Sequence, residues 1–167
     1  EDEVVNVFVT DGKQDIFLAT RKGYGLWFTE EEVNVVGARA AGVKGINLKD
    51  NDYVVNGLVF AQEEKAFLFI ATHRGSVKKL KISEFDKGSR AKRGLVMLRE
   101  VKTNPHEIAA VELVTDNVFV YVQTEKGVVE QVDPATLRNN DRYSNGSFVL
   151  DQQEAGDVVC SWVEGKE

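Results

Sequence analysis

The sequence predicts an all-β protein, a propeller-like stack of four-stranded blades. Three observations predict it: a tandem repeat of about 52 residues, glycine-closed turns at a fixed phase of each repeat, and short β-branched and aromatic runs without helical periodicity. Thr20-Arg21-Lys22-Gly23 recurs as Thr72-His73-Arg74-Gly75 and as Thr124-Glu125-Lys126-Gly127. Gly42, Gly94 and Gly146 keep the same spacing, as do Ile46, Leu98 and Leu150. Sheet units of this size recur in tandem because a single blade leaves its faces bare and must stack on the next.

Each unit reads as four strands. The first is Ile16–Thr20, where β-branched and aromatic residues gather before a turn. Arg21-Lys22-Gly23 then fits a three-residue hairpin turn closed by a glycine in the left-handed region, which costs glycine nothing and other residues strain. A second strand follows at Gly25–Phe28. After a longer polar connection a third is expected near Val43–Leu48, and Asp50-Asn51-Asp52 turns the chain into a fourth at Tyr53–Phe60. This phase divides the chain into blades at 11–62, 63–114 and 115–167. The opening Asp2-Glu3-Val4-Val5-Asn6 matches Asp52-Tyr53-Val54-Val55-Asn56, so residues 1–10 read as the last strand of a preceding blade. Closed propellers use about four to eight blades, so three units read as an incomplete ring.

The 167 residues are 43% hydrophobic and 29% charged, the balance of a single folded domain and not of a disordered tail. Apolar runs are too short to span a membrane, and no secretory leader opens the chain. The lone Cys160, beside Val158, Val159 and Trp162, is expected on a strand as a buried, inert thiol in a reducing cytoplasm. The net charge of −6 conceals a segregation: residues 71–102 hold 10 Lys and Arg against 3 Asp and Glu, and both flanks are acidic. Such a block can present a local anion-binding surface whatever the total charge.

Catalytic patterns are weak. Gly37 to Gly42 has the glycine spacing of a phosphate loop but lacks the following Lys-Ser/Thr and precedes a strand, so it is rejected. His73 and His106 are the two histidines and fall in different parts of the repeat, which supports neither a metal cluster nor a Ser/His/Asp arrangement; His73, at a turn tip, is expected to be an exposed donor. Asp50 and Asp52 fit a polar turn better than paired acid and base, and Trp27 and Trp162 fit packing better than base stacking. No cofactor is implied.

The run from Gly37 to Asp50, with Asp52 and Val54-Val55 and the Thr-x-x-Gly turn ahead of it, resembles the blade motif of the C-terminal domains of bacterial type IIA topoisomerase A subunits, those of gyrase and topoisomerase IV. The resemblance spans essentially the whole chain. It implies a β-pinwheel whose blades exchange strands and which holds duplex DNA on its rim, with the catalytic tyrosine and ATP hydrolysis in other parts of the enzyme. It also implies two protein partners, the remainder of the A subunit together with the ATPase B subunit that it engages, in the bacterial cytoplasm with no membrane. Gly88-Ser89-Arg90-Ala91-Lys92-Arg93-Gly94 keeps the basic character of the gyrase wrapping box but departs from its pattern, as in topoisomerase IV.

Overlaying the units separates core from surface. Phe28, Leu80 and Val132 coincide and are expected in the core. The preceding pairs, Leu26-Trp27, Lys78-Lys79 and Glu130-Gln131, diverge in charge and read as a surface tuned for a partner. Phosphate backbones call for cations without base readout. The candidates are Lys78, Lys79, Arg90, Lys92 and Arg93, with Arg74, Arg21 and Lys22 at equivalent turn tips and Lys44 in the blade motif. The bland reading is that these are solvated charges protecting sheet edges, and the competing function is a protein-interaction scaffold that ignores DNA.

Overall fold

The computed structural model describes residues 2–62 and 64–167; Glu1 and Glu63 lie outside it. Among these residues the strands form three sheets. β1 (Asp15–Thr20), β2 (Tyr24–Thr29) and β3 (Val54–Phe60) belong to the first unit. The second supplies β4 (Phe67–Thr72), β5 (Ser76–Lys81), the two-residue β6 (Leu95–Val96) and β7 (Ile108–Val114). The third supplies β8 (Val118–Thr124), β9 (Val129–Val132), β10 (Ser147–Phe148) and β11 (Val158–Gly165), with a single helical turn, α1 (Gln152–Ala155), before the last.

The sheets are out of step with the sequence units. The first runs β3-β1-β2-β6, the second β10-β5-β4-β7 and the third β11-β8-β9. β6 thus crosses from the second unit to the edge of the first sheet, and β10 from the third unit to the edge of the second. The register repeats faithfully: Ile16 faces Phe28, Leu68 faces Leu80 and Val120 faces Val132. The exchanged pairs repeat as well, with Tyr24 opposite Val96 and Ser76 opposite Phe148.

The turns form as the sequence requires. Gly23, Gly75 and Gly127 have φ of 94°, 93° and 82°, and each amide donates to the carbonyl of the motif threonine. Thr20 Oγ1 also accepts from Tyr24 N at 3.1 Å and Thr124 Oγ1 from Val128 N at 3.2 Å, which explains why threonine opens the motif. The second glycine of each repeat serves a different need. Gly94, at φ 89°, approaches so closely that a Cβ would lie 2.5 Å from the Gly25 carbonyl oxygen; at Gly146 the same atom would lie 2.2 Å from that of Val77. These glycines let the exchanged segment lie on its neighbour's backbone.

The expected third strand of the first unit does not form. Its counterparts β6 and β10 each pair with the edge of the preceding unit's sheet, and among the described residues Val43–Leu48 has no such edge. It lies instead against the second unit, with Asn47 N donating to Lys92 O (2.8 Å) and Ala91 N to Gly45 O (2.7 Å). Residues 2–11 likewise form no strand, although Asn6 Nδ2 donates to Oδ1 of its repeat equivalent Asn56 at 2.9 Å.

Packing follows from alternation along the strands. On β4, Leu68 and Ile70 point into a cluster with Phe17, Phe60, Phe85 and Met97 of the first junction, while Phe69 and Ala71 point into one with Val120, Val122 and Val132 of the second. The middle sheet is therefore covered on both faces, and its strands read as near-continuous apolar runs. Phe28, Leu80 and Val132 are buried as expected. Trp27 packs on the first cluster and donates from Nε1 to Asp15 Oδ2 at 2.9 Å, and Trp162 stacks on Tyr121 at 5.5 Å. Cys160 lies on β11 but is exposed, at a register irregularity where the neighbouring Val159 is exposed too.

Candidate nucleic-acid interface

The burial of the middle sheet removes two candidates. Lys78 is 1% exposed, and its Nζ donates to the carbonyls of Met97, Arg142 (2.8 Å) and Ser144 (2.7 Å). Burial, then the charge of Arg142, lowers its pKa to about 7 against the opposing pull of Asp141 and Glu84. Lys79 is 6% exposed, with its ammonium 4.8 Å from the Phe67 ring and 3.9 Å from Asp116. Neither can reach a phosphate. The divergence from Leu26-Trp27 to Lys78-Lys79 marks a change in how two units are joined, not a surface tuned for a partner.

The basic run 87–93 is a strap that carries the chain across the first unit toward β6, and its Lys87 and Arg90 are tied to that unit. Lys87 pairs with buried Asp15 at 2.8 Å, and Gly88 N donates to Trp27 O at 2.8 Å. Arg90 takes Glu32 Oε2 at its amide (2.6 Å) and Glu32 O at Nε (3.0 Å), and its Nη1 reaches Lys44 O. One repeat later Arg142 does the same with Glu84 Oε2 (3.3 Å), Glu84 O (3.1 Å) and Val96 O (2.9 Å). Arg90 is thus half of a recurring arginine clip between units, with its Nε and Nη1 engaged.

The turn-tip candidates divide. Arg21 is tied to Glu107 at 2.9 Å and to Ile108 O at 3.1 Å. Arg74 donates to Asn104 O (2.9 Å), contacts His106 Nε2 (3.2 Å) and lies over the Phe148 ring. His106 is held neutral, its pKa lowered to about 4 by burial and by the charges of Arg74 and His73. Its Nε2 then accepts from Arg74, and Nδ1 carries the proton toward Thr72 Oγ1 at 2.9 Å. His73, expected to be exposed, is 8% exposed, and its Nδ1 accepts from Glu107 N at 3.1 Å. Arg21 and Arg74 both fold onto the segment 104–108 that leads into β7, which is why these two cations are consumed by structure.

Four candidates keep access to solvent. Lys44 and Lys92 are exposed on neighbouring segments, with Lys44 Nζ on Asn47 Oδ1 at 2.9 Å. Exposed Lys22, anchored by Asp50 O at 2.6 Å, and half-buried Arg93, stacked 4.1 Å over the Tyr24 ring and bonded to its hydroxyl, line one cleft of about 460 Å³ at the first junction. Lys49, Arg99 and Tyr143 also line it, none of them singled out from sequence. Its three carboxylates are Asp50, Asp52 and Glu100, of which Asp52 is engaged by the backbone amides of Lys22 and Tyr53, both at 2.9 Å. The equivalent cleft at the second junction holds Arg74, Asn104, Phe148, Leu150, Asp151 and Gln152. There Asp151 stands at the place of Arg99 and Asn104 at that of Asp52, so one shape carries two charge balances. Lys49 lies outside the basic block 71–102 and Arg99 lies near its end, apart from the 87–93 run, so an alignment of both junctions was needed to reveal them.

Among the described residues no group of three or more His, Cys, Asp or Glu could hold a metal, and no helix is long and apolar enough to cross a membrane.

Known proteins share this fold. The family model of the DNA gyrase C-terminal domain, beta-propeller, matches residues 14–61 and 66–115. The A subunit of DNA topoisomerase 4 from Bacillus subtilis (strain 168) is 54% identical over 162 residues, 97% of this chain and 20% of that protein. Its counterpart from Staphylococcus aureus (strain MRSA252) is 34% identical over 162 residues, again 97% of this chain and 20% of that protein. The chain therefore spans about a fifth of these relatives. A crystal structure of the C-terminal domain of DNA topoisomerase IV superposes with a TM-score of 0.93 at 50% identity, covering 96% of this chain and 50% of that one. The DNA gyrase A C-terminal domain superposes at 0.79 with 17% identity over 93% of this chain and 51% of that one, a likeness of fold.

Proposed function

The chain belongs to the family of DNA gyrase C-terminal β-propeller domains, and from that premise we propose that it is a non-catalytic module that holds duplex DNA on its rim for a topoisomerase IV-like A subunit. In this reading the units 11–62, 63–114 and 115–167 are successive blades, and residues 1–10 continue a preceding one. Strand passage belongs to the rest of that subunit, together with its ATPase partner, in the bacterial cytoplasm. The module's part is to bend DNA and present it.

The observation that carries the reading is the gathering of Lys22, Lys49, Arg93 and Arg99 around one cleft at the first junction, with Lys44 and Lys92 exposed nearby. Phosphodiesters are recognised by such cations and by tyrosine hydroxyls, without base readout. The absence of a recognition helix among the described residues agrees with binding that is indifferent to sequence.

The test is a titration of this chain with linear duplexes of unrelated sequence over a range of salt. Affinity should fall steeply with salt, with about 0.9 units of log–log slope per neutralised phosphate, and differ little between sequences. A protein that ignores duplex DNA at low salt, or discriminates a thousandfold between sequences, contradicts the proposal.

A further inference from the structure

The two inter-unit junctions are built on one plan but fastened by different chemistry. At the first, the position on the inner edge strand is Leu26, 5% exposed and packed with Phe28 and Ile46. At the second, the equivalent residue is Lys78, buried as deeply, whose amino group faces three backbone carbonyls. As an ammonium, the form it takes below about pH 7, it has three donors, and each finds an acceptor. Two of those carbonyls, Arg142 and Ser144, lie on the strap 139–146 that leads the third unit into β10; the other, Met97, follows β6. The amine ties three places in the chain at one point.

The strap's other ties include solvent-exposed ones: Asn145 exchanges two 2.9 Å bonds with the backbone of Arg99, and Glu100 N donates to the Tyr143 hydroxyl at 3.3 Å. β10 pairs with β5 through only Ser147 opposite Val77 and Phe148 opposite Ser76, and Phe148 is 57% exposed. The backbone ties at its two ends are Asn140 N to Lys79 O at 2.8 Å and Val149 N to Gly75 O at 2.9 Å. The Arg142 clip adds three more bonds. Removing the amine would leave the carbonyls of Met97, Arg142 and Ser144 buried without donors, a cost that hydration of an opened strap relieves. The first junction has no such dependence, because its leucine presents nothing to satisfy.

We propose that Lys78 is a latch: it fastens the strap of the third unit across the second sheet, so that the strap can open by itself while the sheets and the apolar face they share stay intact. Opening would free the edge of β5 while the apolar cluster between the second and third sheets keeps those units together.

Amide hydrogen exchange of the whole chain tests this. In the parent, Asn140 and Val149 should exchange through an opening nearly insensitive to low denaturant, the mark of a local event. In Lys78→Met the same two amides should exchange at least tenfold faster, while those of β1, β2 and β4 keep the parent's rates. Unchanged exchange at Asn140 and Val149 would make Lys78 idle. Uniform acceleration over all three sheets, failure of Lys78→Met to fold, or a parent opening with the denaturant dependence of global unfolding would make it a prop of the entire fold. Each of these results overturns the latch.

Discussion

A lysine in a charge run and a lysine in a core are the same letter, and Lys78 shows what separates them. Its repeat equivalent is the buried Leu26, an apolar precedent at that strand position. The basic density of residues 71–102 hid this, since Lys78, Lys79, Lys87, Arg90 and Arg74 are engaged by carbonyls, carboxylates or rings of adjacent units. Burial leaves a titration signature. The folded pKa of Lys78 is about 7, below the ordinary 10.5, so between those values the unfolded chain binds more protons than the folded one. Stability should therefore rise as pH rises from about 7 toward 10.5. Urea unfolding at stepped pH values checks it, and Lys78→Met should lose that part of the rise. A parent whose stability is flat over this range would contradict the burial argument.

At the scale of elements, the turns and core strands were legible because each is fixed by local chemistry: a glycine at positive φ, a threonine side chain closing the turn, alternating apolar residues. The exchanged strands were not, because a repeat reports that a strand recurs and not which copy it pairs with. Val43–Leu48 makes the point, carrying the pattern of β6 and β10 without the edge that turns the pattern into a strand. The second glycine of the repeat offers a graded test. Gly94→Ala meets both the positive φ and the Gly25 carbonyl, whereas Gly42→Ala, at φ 92°, meets open space. Strain alone should cost Gly42→Ala about 1–3 kcal/mol, and Gly94→Ala should lose clearly more. Denaturant midpoints of the two variants decide it; equal losses would mean that the strap does not lie on the first sheet's edge.

Across the whole molecule, the middle sheet is the keystone, with one face in each junction. Phe69, fully buried between the second and third sheets, should lose about 3–5 kcal/mol on truncation to alanine, read as a lower melting temperature of the whole chain. Family resemblance and repeat period together made the architecture legible, but the placement of free charge needed three dimensions. Cations consumed by clips and straps had to be subtracted before the cleft of Lys22, Lys49, Arg93 and Arg99 stood out, with its near twin bearing Asp151 in place of Arg99.

That contrast allows one direct measurement of where DNA is held. Lys49→Glu with Arg99→Glu, both exposed and outside the core, should leave the melting temperature within the small range of surface substitutions. It should weaken binding to linear duplex at least tenfold and reduce the salt-dependence slope by about two units, one for each lost phosphate contact. The matched control is Lys126→Glu with Arg138→Glu on the third unit, which should bind nearly as the parent does. A folded Lys49→Glu, Arg99→Glu variant that binds duplex DNA with the parent's affinity and salt slope would contradict the account.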